Sequence, residues 1–195
     1  MQVTGSVDPR MKEIRDEVLA CRKCPLHSSR KWPVIGQGCH QAEIVLVAEA
    51  PGATENMTGR PFCGAAGKVL DQLLQAAGLG REAVYITNIL KCRPPGNRDP
   101  QPEEIEACTP FLLRHLEIIQ PKTVGCLGRF ASRFVMEQYG LAGSFEGMGR
   151  VHGKVFISEG EKAGVRIVPL YHPAAAAYNP NMLATLKEDF LRLVS

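Results

Sequence analysis

Seven cysteines stand in a chain of 195 residues, and four of them have a spacing that could bind metal. Cys21 and Cys24 form a C-x2-C pair followed directly by Pro25, while Cys92 and Cys108 lie 16 positions apart. Four thiolates can hold a tetrahedral zinc or an iron–sulfur cluster. Two tight pairs would favour structural zinc, and here only the first pair is tight, so the spacing leans to a cluster and leaves zinc open. Burial of all four as small apolar side chains is the third reading. Cys39, Cys63 and Cys126 fall outside any such pairing. An odd cysteine count without a secretion signal argues against a disulfide framework.

The rest of the chain must position these groups. Four runs rich in Val, Ile and Leu, Glu43–Ala50, Ala83–Leu90, Thr123–Leu127 and Arg166–Tyr171, predict strands buried on both faces. Met11, Ile14 and Val18 predict a first helix ahead of the cysteines. Lys68–Ala77 carries an apolar face and ends at Gly78. Pro102 opens a helix that runs to Ile119, with Pro110 placed to kink it. Arg129–Tyr139 and Asn181–Val194 complete the helices, and a hairpin joins Lys154–Ser158 to Arg166–Tyr171. Strands alternating with helices predict an α/β fold with a mostly parallel sheet covered on both sides.

In such folds ligands bind beyond the carboxyl ends of the strands. That rule selects Glu49, Ala50, Pro51 and Gly52 after the first strand and Asn88 at the end of the second. It adds Gly128 and Arg129 after the third strand and His172 after the fourth. A carboxylate, an amide and an imidazole would share one rim. Two loops are basic, with Arg22, Lys23, Arg30 and Lys31 in one and Lys91, Arg93 and Arg98 in the other. Such loops can meet phosphates, although a net charge of +3 does not by itself require nucleic acid.

Length and composition, 45% hydrophobic and 22% charged, fit one domain spanning 1–195. No apolar run approaches the roughly 18 residues of a membrane span, and Met1–Arg10 lacks an apolar signal region. These features predict a soluble, intracellular protein with no membrane partner; the expected compartment is the cytoplasm and the expected state a monomer.

The strings Ala48-Glu49-Ala50-Pro51-Gly52, Gly59-Arg60-Pro61-Phe62, Thr87-Asn88 with Cys92-Arg93-Pro94-Pro95, and His172-Pro173-Ala174 occur in that order. Together with the cysteine spacing, they resemble family 4 of the uracil-DNA glycosylases, iron–sulfur enzymes of bacteria and archaea. The resemblance covers nearly the whole chain from Cys21 onward. It implies a three-layer α/β/α fold around a four-stranded parallel sheet. It also implies one [4Fe–4S] cluster on Cys21, Cys24, Cys92 and Cys108, built from the N-terminal segment and the 92–108 loop and helix. The implied activity is hydrolysis of the N-glycosidic bond of uracil in single- or double-stranded DNA, a step of base excision repair near the nucleoid.

The resemblance assigns roles residue by residue. Phe62 stacks on the extruded base, and Asn88 pairs with uracil N3–H and O4. Glu49, Ala50 and the Pro51-Gly52 backbone limit room at the 5-position. His172 donates to O2, and Glu55 handles the water with Asn97 as helper. The chain departs from the family pattern at Ala48, Asn56 and Ala175–Ala177. The last of these removes the larger residues that can wedge into the duplex, leaving Tyr178 or another loop for that work. The alternatives are a non-catalytic iron–sulfur DNA-binding protein, or a relative that traps uracil-DNA covalently. The trapping relatives carry a His-containing loop after the third cysteine, and RPPGNRDP has no His.

Overall fold

A computed structural model describes residues 8–195; the first seven residues of the expected span, including most of Met1–Arg10, lie outside it. Six strands form one sheet: β1 (Gln37–Gly38), β2 (Ile44–Ala48), β3 (Val84–Asn88), β4 (Thr123–Leu127), β5 (Phe156–Ile157) and β6 (Arg166–Leu170). The helices are α1 (Pro9–Ala20), α2 (Ala53–Thr58), α3 (Ala65–Ala76), α4 (Pro102–Ile119), α5 (Arg129–Gln138), α6 (Met148–Val151), α7 (Ala174–Tyr178) and α8 (Met182–Leu191). The strand order is β1-β3-β2-β4-β6-β5. The four inner strands are parallel, and a two-residue antiparallel strand trims each edge. The order reverses between β2 and β4, which makes the crevice at their carboxyl ends the favoured ligand site.

The inner strands are buried along nearly their whole length because apolar side chains leave both faces. Val45, Val47, Tyr85, Val124, Cys126 and Ile167 pack with residues of α1, α4 and α5. Ile44, Leu46, Val84, Ile86, Val168 and Leu170 pack with residues of α3, α7 and α8. Two apolar clusters on opposite faces of one sheet make the three-layer α/β/α arrangement. Among the described residues, no helix is long and apolar enough to cross a membrane.

Local signals account for the helix ends. Asp8 accepts the Arg10 N–H ahead of Pro9. Gly78, at φ +72, takes the left-handed step that stops α3. Pro110 lies inside α4 without dividing it. Thr109 Oγ1 donates at 3.4 Å to the Glu106 carbonyl that Pro110 cannot serve.

The start of α4 anchors the 93–100 loop. Gln101 and Glu104 form a reciprocal capping box. Arg98 donates twice to the Glu104 carboxylate, at 2.9 and 2.6 Å. These bonds hold the Glu104 carboxyl below its ordinary value. The loop's order therefore comes in part from an ion pair. A lowered carboxyl pKa stabilises the fold above the ordinary carboxylate range, and that contribution is lost as pH falls through the folded value. Glu104→Gln should lower unfolding stability by about 1–2 kcal/mol at pH 7. The difference should shrink in urea melts below the carboxylate range, and equal stability at pH 7 would count against the pairing.

Candidate functional site

A cleft of about 450 Å³ opens at the carboxyl ends of the parallel strands. Its walls include Glu49, Ala50 and Gly52 after β2, Glu55 on α2, Phe62, Asn88, Asn97 and His172. All the non-cysteine residues to which the family resemblance gives a role thus reach one cavity. Gly128 and Arg129 are not among its walls. A Cβ at Gly128 would lie 3.4 Å from His172 Cβ, so that glycine backs the imidazole.

His172 Nδ1 accepts the Ala174 N–H at 3.1 Å. That bond assigns the neutral ring's proton to Nε2, which stays available as a donor. Burial pulls the His172 pKa down to about 4, with the charge of Glu55 pulling the other way. The Phe62 ring lies beside it, 5.5 Å between centroids and 27° between planes.

Phe62 adopts φ +48, a left-handed conformation that is strained for an aromatic residue. Arg81 Nη2 donates to its carbonyl at 2.6 Å. A Cβ at Gly67 would come within 1.9 Å of the same oxygen, so α3 can approach only through a glycine. Arg81 and Gly67 lie outside the strings quoted above, and sequence reasoning missed both.

Glu55 Oε1 accepts the N–H groups of Cys63 at 2.9 Å and Gly64 at 3.0 Å, at the mouth of α3. Oε2 lies 2.6 Å from the Cβ position of Gly52, so a side chain there would displace this carboxylate oxygen. Asn97, also left-handed at φ +55, accepts Arg93 Nε at 2.7 Å through Oδ1. Its amide N–H groups remain for other partners. The Asn88 carboxamide is 2% exposed and has no hydrogen-bond partner among the described residues. Among the described residues only His115 Nδ1 is fully enclosed without a partner, so the Asn88 carboxamide opens onto the cleft. Burial, then the charge of Asp99, raises the Glu49 carboxyl; Arg129 opposes them.

Asn56 is structural: its Oδ1 and carbonyl accept the N–H groups of Lys31 and Trp32, both at 3.0 Å. Ala176 points into the cluster beneath α3 and α8, so the second of the three alanines cannot present a wedge. Tyr178 is 90% exposed at the lip of the cleft. The basic loops divide differently from the charge pattern. Lys91 is fully buried, Arg98 serves Glu104, and Arg30 donates to Cys92 Sγ at 3.3 Å and to the Leu19 carbonyl. Internal partners, among them a carboxylate, a hydroxyl, two carbonyls and a sulfur, claim these three cations, leaving Arg22, Lys23 and Lys31 exposed.

Cys21, Cys24, Cys92 and Cys108 line a second cavity, between the end of α1, the loop after β3 and α4. Cys39, Cys63 and Cys126 do not. The Lys91 N–H donates to Cys108 Sγ at 3.2 Å, and Arg30 serves Cys92. Burial pushes Cys108 up to about 11, with Lys91 opposing, and it also raises Cys24 and Cys92. Thiolates in such a seat need a positive partner. Among the described residues, no three His, Cys, Asp or Glu side chains converge closely enough to grip one ion. Four cysteines on one cavity are a donor set of the kind that holds zinc or an iron–sulfur cluster.

Comparison with known proteins agrees with this geometry. The uracil DNA glycosylase superfamily model matches residues 35–194, and the chain belongs to that superfamily. Its type-4 branch is the relevant one. The type-4 uracil-DNA glycosylase of Archaeoglobus fulgidus is 47% identical over 183 residues, covering 94% of this chain and 91% of that protein. The type-4 enzyme of Sulfurisphaera tokodaii is 44% identical over 184 residues, covering 94% and 83%. That of Saccharolobus solfataricus is 44% identical over 181 residues, covering 92% and 83%.

Proposed function

We propose that this chain is a uracil-DNA glycosylase that hydrolyses the bond between uracil and deoxyribose and leaves an abasic site. The observation that carries the reading is the meeting of an unpartnered Asn88 amide, a His172 Nε2–H and the Phe62 ring at one cleft. A base must leave the duplex to reach such a pocket. Asn88 Oδ1 of the side chain then accepts uracil N3–H, and the side-chain Nδ2–H donates to O4. Cytosine presents the opposite pattern and leaves both groups mismatched. Phe62 supplies an apolar face, and Glu49 with the Pro51-Gly52 backbone crowds the 5-position against thymine.

Breaking C1′–N1 moves the bonding electrons onto the uracil ring. His172 Nε2–H, aimed at O2, stabilises that charge more in the transition state than in the ground state. Glu55, held by two backbone donors, leaves Oε2 for a water, and the Asn97 amide steadies it. The water's oxygen bonds to C1′, and its proton passes to Glu55 or to solvent. Tyr178 fills the gap left in the stack when the base departs.

The four-cysteine seat fits one [4Fe–4S] cluster, held by Cys21, Cys24, Cys92 and Cys108. When bound, the cluster supplies iron–thiolate bonds that tie α1, the 93–100 loop and α4 together. The whole chain acts as one domain and as a monomer, on DNA in the cytoplasm.

The test is abasic-site formation on U·G, U·A, single-stranded U and T·G oligonucleotides. Cleavage of the three uracil substrates and not of T·G is expected, and Asn88→Ala should lower kcat/KM by roughly 100-fold or more. Undiminished activity in Asn88→Ala would contradict the pocket. The pH profile of kcat/KM gives a second measure, because only the neutral His172 ring keeps Nδ1 free to accept the Ala174 N–H. Activity should hold through pH 6 and 5 and fall as pH drops through about 4. An acid limb near 6.5, the ordinary histidine value, would contradict this environment. Tyr178→Ala should lower activity on U·A several-fold more than on single-stranded uracil; equal losses would remove Tyr178 from base extrusion.

A further inference from the structure

Lys91 is a fully buried lysine for which the chemistry above has no role. Its backbone N–H donates to Cys108 Sγ at 3.2 Å, so the residue forms one wall of the cysteine seat. Its side chain turns back toward the sheet. Nζ donates to the Asn88 carbonyl at 2.8 Å and to Thr87 Oγ1 at 2.7 Å. Thr87 Oγ1 donates in turn to the Ile35 carbonyl at 3.0 Å.

The parallel ladder gives these bonds their meaning. β3 ends at Asn88, and the next two N–H groups, of Ile89 and Leu90, turn to the carbonyls of Ala48 and Glu49. The Asn88 carbonyl is left at the point where the strand bends away, in an environment closed to water. An unmet carbonyl there would cost about 1–3 kcal/mol, and the strand end would twist to find a donor. Any such twist would swing the Asn88 carboxamide, because its Cα lies in the same peptide frame. Burying an amine is itself expensive, so two short bonds of this kind mark a constrained position. Burial pulls the Lys91 pKa down to about 8, but the amine and the ammonium both carry the two hydrogens these bonds need.

We infer that Lys91 is a positioning residue, which fixes the Asn88 carbonyl from behind the pocket and so aims the carboxamide that reads uracil, while its own backbone is pinned to the cysteine seat. The inference rests on the proposed role of Asn88. It joins two sites that otherwise look independent: the peptide that orders the third and fourth cysteines also sets the base-reading amide. Because the action runs through Asn88, the effect of losing the amine must disappear when the carboxamide is absent.

The experiment is a double-mutant cycle on the full, cluster-loaded chain, with Lys91→Met, Asn88→Ala and the pair. Loading is checked by iron content and visible absorbance. Inhibition by free uracil is measured beside kcat/KM on single-stranded uracil substrate. Lys91→Met should lower kcat/KM by about 10- to 100-fold, the scale of a small misplacement of a binding group. It should weaken inhibition by uracil by a similar factor at unchanged iron content. In the Asn88→Ala background it should change kcat/KM by less than about twofold, since residues acting through one another are not additive.

Equal losses in both backgrounds, or wild-type uracil inhibition in a loaded Lys91→Met protein, would overturn the inference. If Asn88→Ala alone has no effect, the proposed function fails instead. Should the Met variant not fold, Lys91→Gln serves, because its donor is one bond shorter and cannot span both acceptors. Uracil inhibition should then weaken several-fold, and a wild-type value would overturn the inference.

Discussion

The parallel pairing of β2 with β3 sets Ala48 beside Asn88, and the cleft is built outward from that pair. Because the inner strands run in the same direction, their carboxyl ends release chain on one side of the sheet. The loop after β2 brings Glu49, Gly52 and then Glu55; the end of β3 brings Asn88; the turn after β6 brings His172. An antiparallel neighbour in place of β3 would send Asn88 to the opposite rim. The two antiparallel strands that do occur, β1 and β5, are confined to the edges and are two residues long.

Polar groups near the cleft are held chiefly by backbone atoms. Glu55 rests on two N–H groups, His172 on one, and Lys91 on a carbonyl and a hydroxyl. Backbone partners stay fixed, so each side chain presents a set face without reorganising as charge develops. The Asn88 carboxamide is the exception: it has no protein partner and faces the cleft. A base that supplies both a donor and an acceptor would meet both of its polar ends.

Much of this was legible in the chain. The four apolar runs became β2, β3, β4 and β6 with ends shifted by at most two residues, because strands buried on both faces need little more than Val, Ile and Leu. The strand-end rule found Glu49, Asn88 and His172 without knowledge of any relative, and the motifs added Phe62, Glu55 and Asn97. Other features left no local trace. α2 is six residues long and buries none of them, so it has no apolar period to detect. Lys91 looked like part of a basic loop, because its partners lie at the end of the preceding strand and on α4. Gly67 is required by a carbonyl of Phe62, and Arg98 by a carboxylate at the next helix start. The alanines after His172 were legible only as the loss of a wedge, whereas Ala176 packs into the core.

The most direct test of the account is a crystal structure of the cluster-loaded protein with free uracil. The account places the ring in the cleft beside Phe62, with the Asn88 carboxamide on N3 and O4 and His172 Nε2 within hydrogen-bond distance of O2. Uracil bound elsewhere, or seated in the cleft with the Asn88 amide turned away from it, would contradict the account.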